Sequence, residues 1–139
     1  MATLEEEVNK PTHYRSHESG IEAIEVTRCL IGDLSNAWKY AMRYDCKGTP
    51  KKDLLKLCWY LKDWYKHFLD ENNNDIAQTP VEPYMFTSKM LTIIDKEPVP
   101  QIKNILTQIY RITIDGGLVN PKAFIDAVND IEKFAETFS

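Results

Sequence analysis

Apolar residues recur at helical spacing along most of the chain. Leu54, Leu57, Cys58, Leu61, Trp64, Tyr65 and Phe68 stand 3, 1, 3, 3, 1 and 3 positions apart. That rhythm keeps one face of an α-helix apolar for about five turns and predicts a helix over about 50–70. Pro50 suits its first turn, where a missing N–H costs nothing. Asp53, Lys56, Tyr60, Asp63 and His67 fall on an adjacent polar strip. Leu34, Ala37, Trp38, Ala41 and Tyr44 mark a second helix over about 34–45. Asn36, Lys39, Tyr40 and Arg43 occupy its other side, and Lys47 extends that line into the turn before Pro50. Further upstream, Ser19 with Glu22 three residues later makes a capping box for a helix from 20 to about 31. Ala23, Ile24, Val26, Thr27, Leu30 and Ile31 form its apolar side; Glu22, Glu25 and Arg28 face away from them.

The second half repeats the theme with prolines as punctuation. Met85, Phe86, Met90, Leu91 and Ile94 predict a helix over about 84–94. Ile102, Ile105, Leu106, Ile109 and Ile112 predict one over about 101–114, stopped by Gly116-Gly117. Asn120-Pro121 is an N-cap followed by a first-turn proline, and Phe124, Ile125, Val128, Ile131, Phe134 and Phe138 carry the last helix to about 138. No segment alternates with period two. The expected class is all-α: a compact bundle of about six helices behind an extended N-terminal arm. The chain divides into the arm at 1–19, a three-helix core at 20–70, a polar linker at 71–82 and a helical extension at 83–139.

Composition narrows the function. The chain has 139 residues, 17 basic and 21 acidic, for a net charge of −4. Hydrophobic residues at 43% and charged residues at 27% are the balance of a soluble globular protein. The acidic excess speaks against a general nucleic-acid coat, so nucleic acid is not an expected partner, although the balance leaves room for a local basic patch. No apolar run approaches the ~20 residues needed to span a bilayer, which excludes a membrane partner of that kind. The N-terminus is acidic and lacks an apolar signal region, so the expected compartment is cytoplasmic. Cys29, Cys46 and Cys58 are far apart with no C-x-x-C, and read as free thiols. Five glycines build neither G-x-x-x-x-G-K-[ST] nor G-x-G-x-x-G, and G-x-S-x-G and H-E-x-x-H are absent too. Any phosphate must then be held by helix N-termini and by Lys or Arg side chains.

Three constellations could carry chemistry. Lys10, His13 and Tyr14 beside Pro11 place a cation, an imidazole and a phenol on a stiffened arm; the same residues also read as a solvated tail. Asn36, Lys39, Tyr40, Arg43 and Lys47 share one helical face. Such a row of cations is self-repelling unless an anion is bound, although an ordinary solvated face has the same look. Glu22 and Glu25, facing Asp53 from another helix, could hold Mg²⁺ with water and phosphate oxygens. Capping by Glu22 and pairing of Glu25 with Arg28 are the structural alternatives.

Five pieces in order resemble a known family: Asn9-Lys10-Pro11-x-His13-Tyr14; Gly20-Ile21-Glu22-Ala23-Ile24-Glu25-Val26; Asn36-Ala37-x-Lys39-Tyr40-x-x-Arg43; Lys47-Gly48; and Asp53-Leu54-x-Lys56-x-x-x-Tyr60-Leu61. The resemblance is to a phage-encoded family of small proteins described as nucleotide kinases without a P-loop, and it covers about residues 8–69. It implies nucleotide handling by the 20–70 core, homo-oligomers and a place in the cytosol of an infected bacterium. It makes Asn9, Lys10, Pro11, His13, Tyr14, Asn36, Lys39, Tyr40, Arg43 and Lys47 the expected nucleotide contacts. Lys39, Arg43 and His13 are its expected catalytic groups, and Glu22, Glu25 and Asp53 its expected metal acids, with Mg²⁺ as cofactor if the protein is a (deoxy)nucleoside monophosphate kinase. Two other functions fit the same residues. One is an oligomeric sponge that sequesters host anti-phage signalling nucleotides, which needs no metal. The other is a helical interaction protein with no small ligand.

Overall fold

The computed structural model describes residues 17–30, 32–68, 83–118 and 120–139; these form six α-helices and no strand. The helices are α1 (Ile24–Thr27), α2 (Gly32–Arg43), α3 (Pro50–Phe68), α4 (Pro83–Lys96), α5 (Pro100–Asp115) and α6 (Pro121–Ala135). The all-α bundle expected from the spacing is therefore what the chain forms. Asn9 to Tyr14 of the expected arm, and the whole expected linker at 71–82, lie outside the described residues.

α3 is the centre of the arrangement. On one side it pairs with α2 as a helical hairpin. Asp33 at the start of α2 meets Asp63 late in α3, and Tyr40 meets Tyr60, so the two helices run antiparallel. The turn between them passes through Gly48 at φ +76°, a left-handed conformation that a side chain rarely adopts. On its other side α3 packs on α6. There Cys58 Sγ lies 3.8 Å from the Val128 carbonyl, and Phe124 sits against both Trp64 and Tyr65. Burial pushes the Cys58 thiol up to about 12, which leaves it an inert packing group. α5 packs against α6 and α2, and α4 against α5 and α1. One core results, in which Trp38, Leu57, Leu61, Met90, Ile105, Ile109, Phe124 and Ile131 are all buried. The segments read as core and extension thus share a single apolar interior.

The helix ends follow local chemistry. Asn120 accepts from the Ala123 N–H at 3.1 Å with Pro121 in the first turn, as its sequence predicts. Gly116 closes α5 in the left-handed conformation at φ 72°. The helix expected over 20–31 shortens to the four residues of α1. The Ser19 hydroxyl accepts from the Ile21 N–H at 3.1 Å, closing a local turn instead of capping a helix. The carboxylate that reaches back is that of Glu25, which accepts from the Glu22 N–H at 2.8 Å. α1 itself starts from Ala23, which makes no side-chain capping bond. Ile24, expected on the apolar side, is 53% exposed, and Val26 is the residue of α1 that enters the core. Leu91 and Ile125 also face outward, whereas Ile93 is buried. No described helix is long and apolar enough to cross a membrane.

Candidate functional site

The outer face of the α2–α3 hairpin gathers aromatic rings and lysines. The Tyr40 and Tyr60 rings stack with centroids 5.9 Å apart and planes 13° from parallel. Lys39 Nζ lies 4.9 Å from the Tyr40 centroid, and Lys56 Nζ lies 5.6 Å from it. Two cations thus bracket one ring, each drawn to its negative face. Trp59 meets Tyr60 edge-on, with centroids 5.2 Å apart and planes at 89°. Beyond Trp59 an open groove of about 610 Å³ runs to the turn before α3, lined by Gly48, Thr49, Lys51, Lys52, Leu55, Lys56 and Ser139. Lys51 is tied to Glu136 at 3.5 Å. Lys39, Lys52 and Lys56 make no ion pair with a described residue.

The expected site residues sort clearly against this face. Lys39 and Tyr40 lie in it. Asn36, one turn earlier, donates to the Gly32 carbonyl of its own helix at 3.3 Å. Arg43 is half-buried and already partnered within the protein. Lys47 is exposed in the hairpin turn. Asn9, Lys10, Pro11, His13 and Tyr14 lie outside the described residues. The three expected metal acids do not form a ligand set. Glu25 accepts from the Glu22 N–H and is also held by Lys89 at 3.3 Å, which keeps its carboxyl below the usual range. Asp53 is only 3% exposed on α3, and its Oδ2 has no hydrogen-bond partner. Among the described residues no three His, Cys, Asp or Glu side chains converge as metal ligands.

Lys52, Leu55, Lys56 and Trp59 escape a search for buried faces because they form the solvent side of α3. Their signal is the i, i+3, i+4, i+7 spacing of the outward stripe, with a tryptophan where a polar residue is usual. Two further polar clusters lie elsewhere. Behind the hairpin turn, a cavity of about 220 Å³ is lined by His17, Tyr44, Asp45, Cys46 and Glu97. The Ser19 N–H donates to His17 Nδ1 at 3.1 Å, so the proton sits on Nε2 and points at Glu97 Oε1, 3.3 Å away. Glu97 Oε2 accepts from the Val99 N–H at 3.3 Å.

The other cluster links the start of α2 to the end of α3. Asp33 is pushed up to about 6, first by burial and then by its hydrogen bond to Asp63 and that group's charge. His67 stands 3.5 Å from Asp63. A carboxyl raised in the folded state keeps a proton that the unfolded chain releases. Stability therefore falls as pH rises from about 4 to about 6, and the penalty is complete above that window. Asp33→Asn removes the penalty. Its stability relative to the parent is expected to climb across pH 4–6 and level off at about 1 kcal/mol, a value discounted for solvent screening of this half-buried pair. Urea titrations at a series of pH values measure it; a difference independent of pH would show that the pair does not share a proton.

A family model described as a protein of unknown function (DUF3310) matches residues 8–62. The matched stretch includes α1, α2 and most of α3, and ends before α4. No curated protein and no solved structure shows significant similarity to the chain.

Proposed function

We propose that the chain binds a nucleotide on the outer face of α2 and α3. The observation that carries this is the Tyr40–Tyr60 stack bracketed by Lys39 and Lys56. Bases stack on aromatic rings whatever their identity, and lysines beside them answer phosphate charge; Tyr40 and Tyr60 are half-buried, and Trp59 next to them is the exposed ring. All four residues fall inside the stretch matched by the family model. The face is cationic on a chain whose net charge is −4, so the positive charge is local.

The resemblance to P-loop-less kinases adds a reaction, transfer of a phosphoryl group from ATP to a (deoxy)nucleoside monophosphate, with Mg²⁺ supplied for charge neutralisation. Glu22, Glu25 and Asp53 do not fit that ion as a set, for the pairing and burial described above. No step through magnesium follows from them. The non-catalytic alternative, sequestration of a host signalling nucleotide, asks only for the stack and the cations. Self-association belongs to either reading, and the outward Ile24, Leu91, Ile114 and Ile125 give it apolar surface.

One experiment separates these readings. The protein is incubated with ATP, Mg²⁺ and a panel of mononucleotides and signalling nucleotides, then denatured, and bound and free fractions are chromatographed. Retention of nucleotide by the parent and its loss in Lys39→Ala is the expected result. A new diphosphate identifies a kinase, and intact ligand released by heat identifies a sponge. If nothing is retained or converted, the binding proposal fails and an interaction protein remains.

A further inference from the structure

We propose that this face takes two nucleotides joined by a phosphodiester rather than a single nucleotide, an inference that rests on the nucleotide-binding reading above. Lys56 borders two aromatic groups at once. On one side its Nζ faces the Tyr40 ring, stacked on Tyr60. On the other it lines the groove with Leu55 and Trp59, which are 41% and 60% exposed. The two surfaces touch through Tyr60 and Trp59, yet their planes stand at 89°. One flat base cannot stack on both. A ligand that fills the face brings two bases turned against each other, one on exposed Trp59 and one on the half-buried tyrosine pair, where it takes the place of the ammonium groups over Tyr40. The linker between them crosses Lys56, where a phosphodiester's negative charge is matched.

The surroundings favour this occupant. Lys52 extends the cationic edge of the groove, again without an ion pair to a described residue. The groove, about 610 Å³, takes the half of the ligand that meets Trp59, and the tyrosine pair lies beyond its lining. Double-stranded DNA keeps its bases stacked internally and cannot offer them to Trp59 and Tyr40. An acidic peptide would answer the lysines but brings no flat rings to the two aromatic planes.

The test titrates the full chain with four probes: thymidine 5′-monophosphate, the dinucleotide dTpdT, dTpdT with an uncharged methylphosphonate linkage, and a tetraglutamate peptide. The monophosphate carries more charge than dTpdT but only one base, so charge alone favours it. The expected result is binding of dTpdT at least tenfold tighter than of the monophosphate, the order that one added base–aromatic stack supplies. In Trp59→Ala and in Lys56→Gln the ratio of the two affinities falls to about one. The uncharged linkage loses the same advantage on the unaltered protein, which makes the result independent of any variant's folding. Equal affinity for monophosphate and dinucleotide overturns the inference while leaving nucleotide binding in place. Tetraglutamate binding as tightly as dTpdT overturns it as well, since a bare cationic patch would then suffice. Binding of no probe overturns both.

Discussion

Glu97→Ala lowers the unfolding free energy by about 3 kcal/mol and loosens the segment from His17 to Ile21. Both side chains of the pair are only 6% exposed, so the substitution takes from His17 Nε2–H its charged acceptor beside the polar cavity. It also removes the acceptor of the Val99 N–H, just before α5 begins. For a chain of this size the loss corresponds to a fall of roughly 10 °C in Tm. The local effect is more diagnostic. His17 holds Ser19, and the Ser19 hydroxyl holds the Ile21 amide, so release of His17 propagates along a short chain of hydrogen bonds. Hydrogen exchange at the Ser19 and Ile21 amides is expected to accelerate by more than global destabilisation explains. Glu97→Gln keeps one acceptor oxygen, for His17 Nε2–H or for the Val99 N–H but not for both, and loses about half as much. A loss within 0.5 kcal/mol for Glu97→Ala, with unchanged exchange at Ile21, would show that the contact holds nothing.

Lys39→Ala combined with Lys56→Ala weakens nucleotide binding about 100-fold while Tm stays within about 2 °C. Each lysine offers one charge-assisted contact, worth on the order of 1.5 kcal/mol or more, and two such contacts make two decades in affinity. The cations bracket the same ring, so the pair is expected to fall short of additivity. Neither is tied into the fold by an ion pair to a described residue, which is why stability is spared. Calorimetric titration with ATP on parent, single and double variants measures it. Unchanged affinity in the double variant, with Tm preserved, would remove the α2–α3 face as the site and return the protein to the class of helical interaction proteins.

The inward side of this molecule was far more legible than its outward side. Leu54, Leu57, Cys58, Leu61 and Trp64 are buried as their spacing requires, and so are Ile102, Ile105, Leu106, Ile109 and Ile112. Burial is periodic, and periodicity survives in one dimension. α1 is shorter than its spacing predicts because Ser19 and Glu25 satisfy the backbone of their own neighbourhood, a competition that residue spacing does not reveal. Of the expected contacts, Lys39 and Tyr40 enter the candidate face, but Lys52, Leu55 and Trp59 were not singled out. Their role depends on which helix lies beside them. Asp33 with Asp63, and His17 with Glu97, pair across 30 and 80 positions. Nothing local marks either partner for the other.

That α3 is both inner wall and outer face has a consequence for how the protein can change over generations. Its inward residues are held by α6, through contacts such as Tyr65 on Phe124 and Cys58 on Val128. The matched stretch ends at residue 62, so this buttress is built from chain that the match does not include. A different set of helices presenting an apolar surface of similar shape would hold the same wall. Substitutions in α6 are then expected to act through volume and packing, while substitutions at Lys52, Lys56 or Trp59 change the surface that the protein presents.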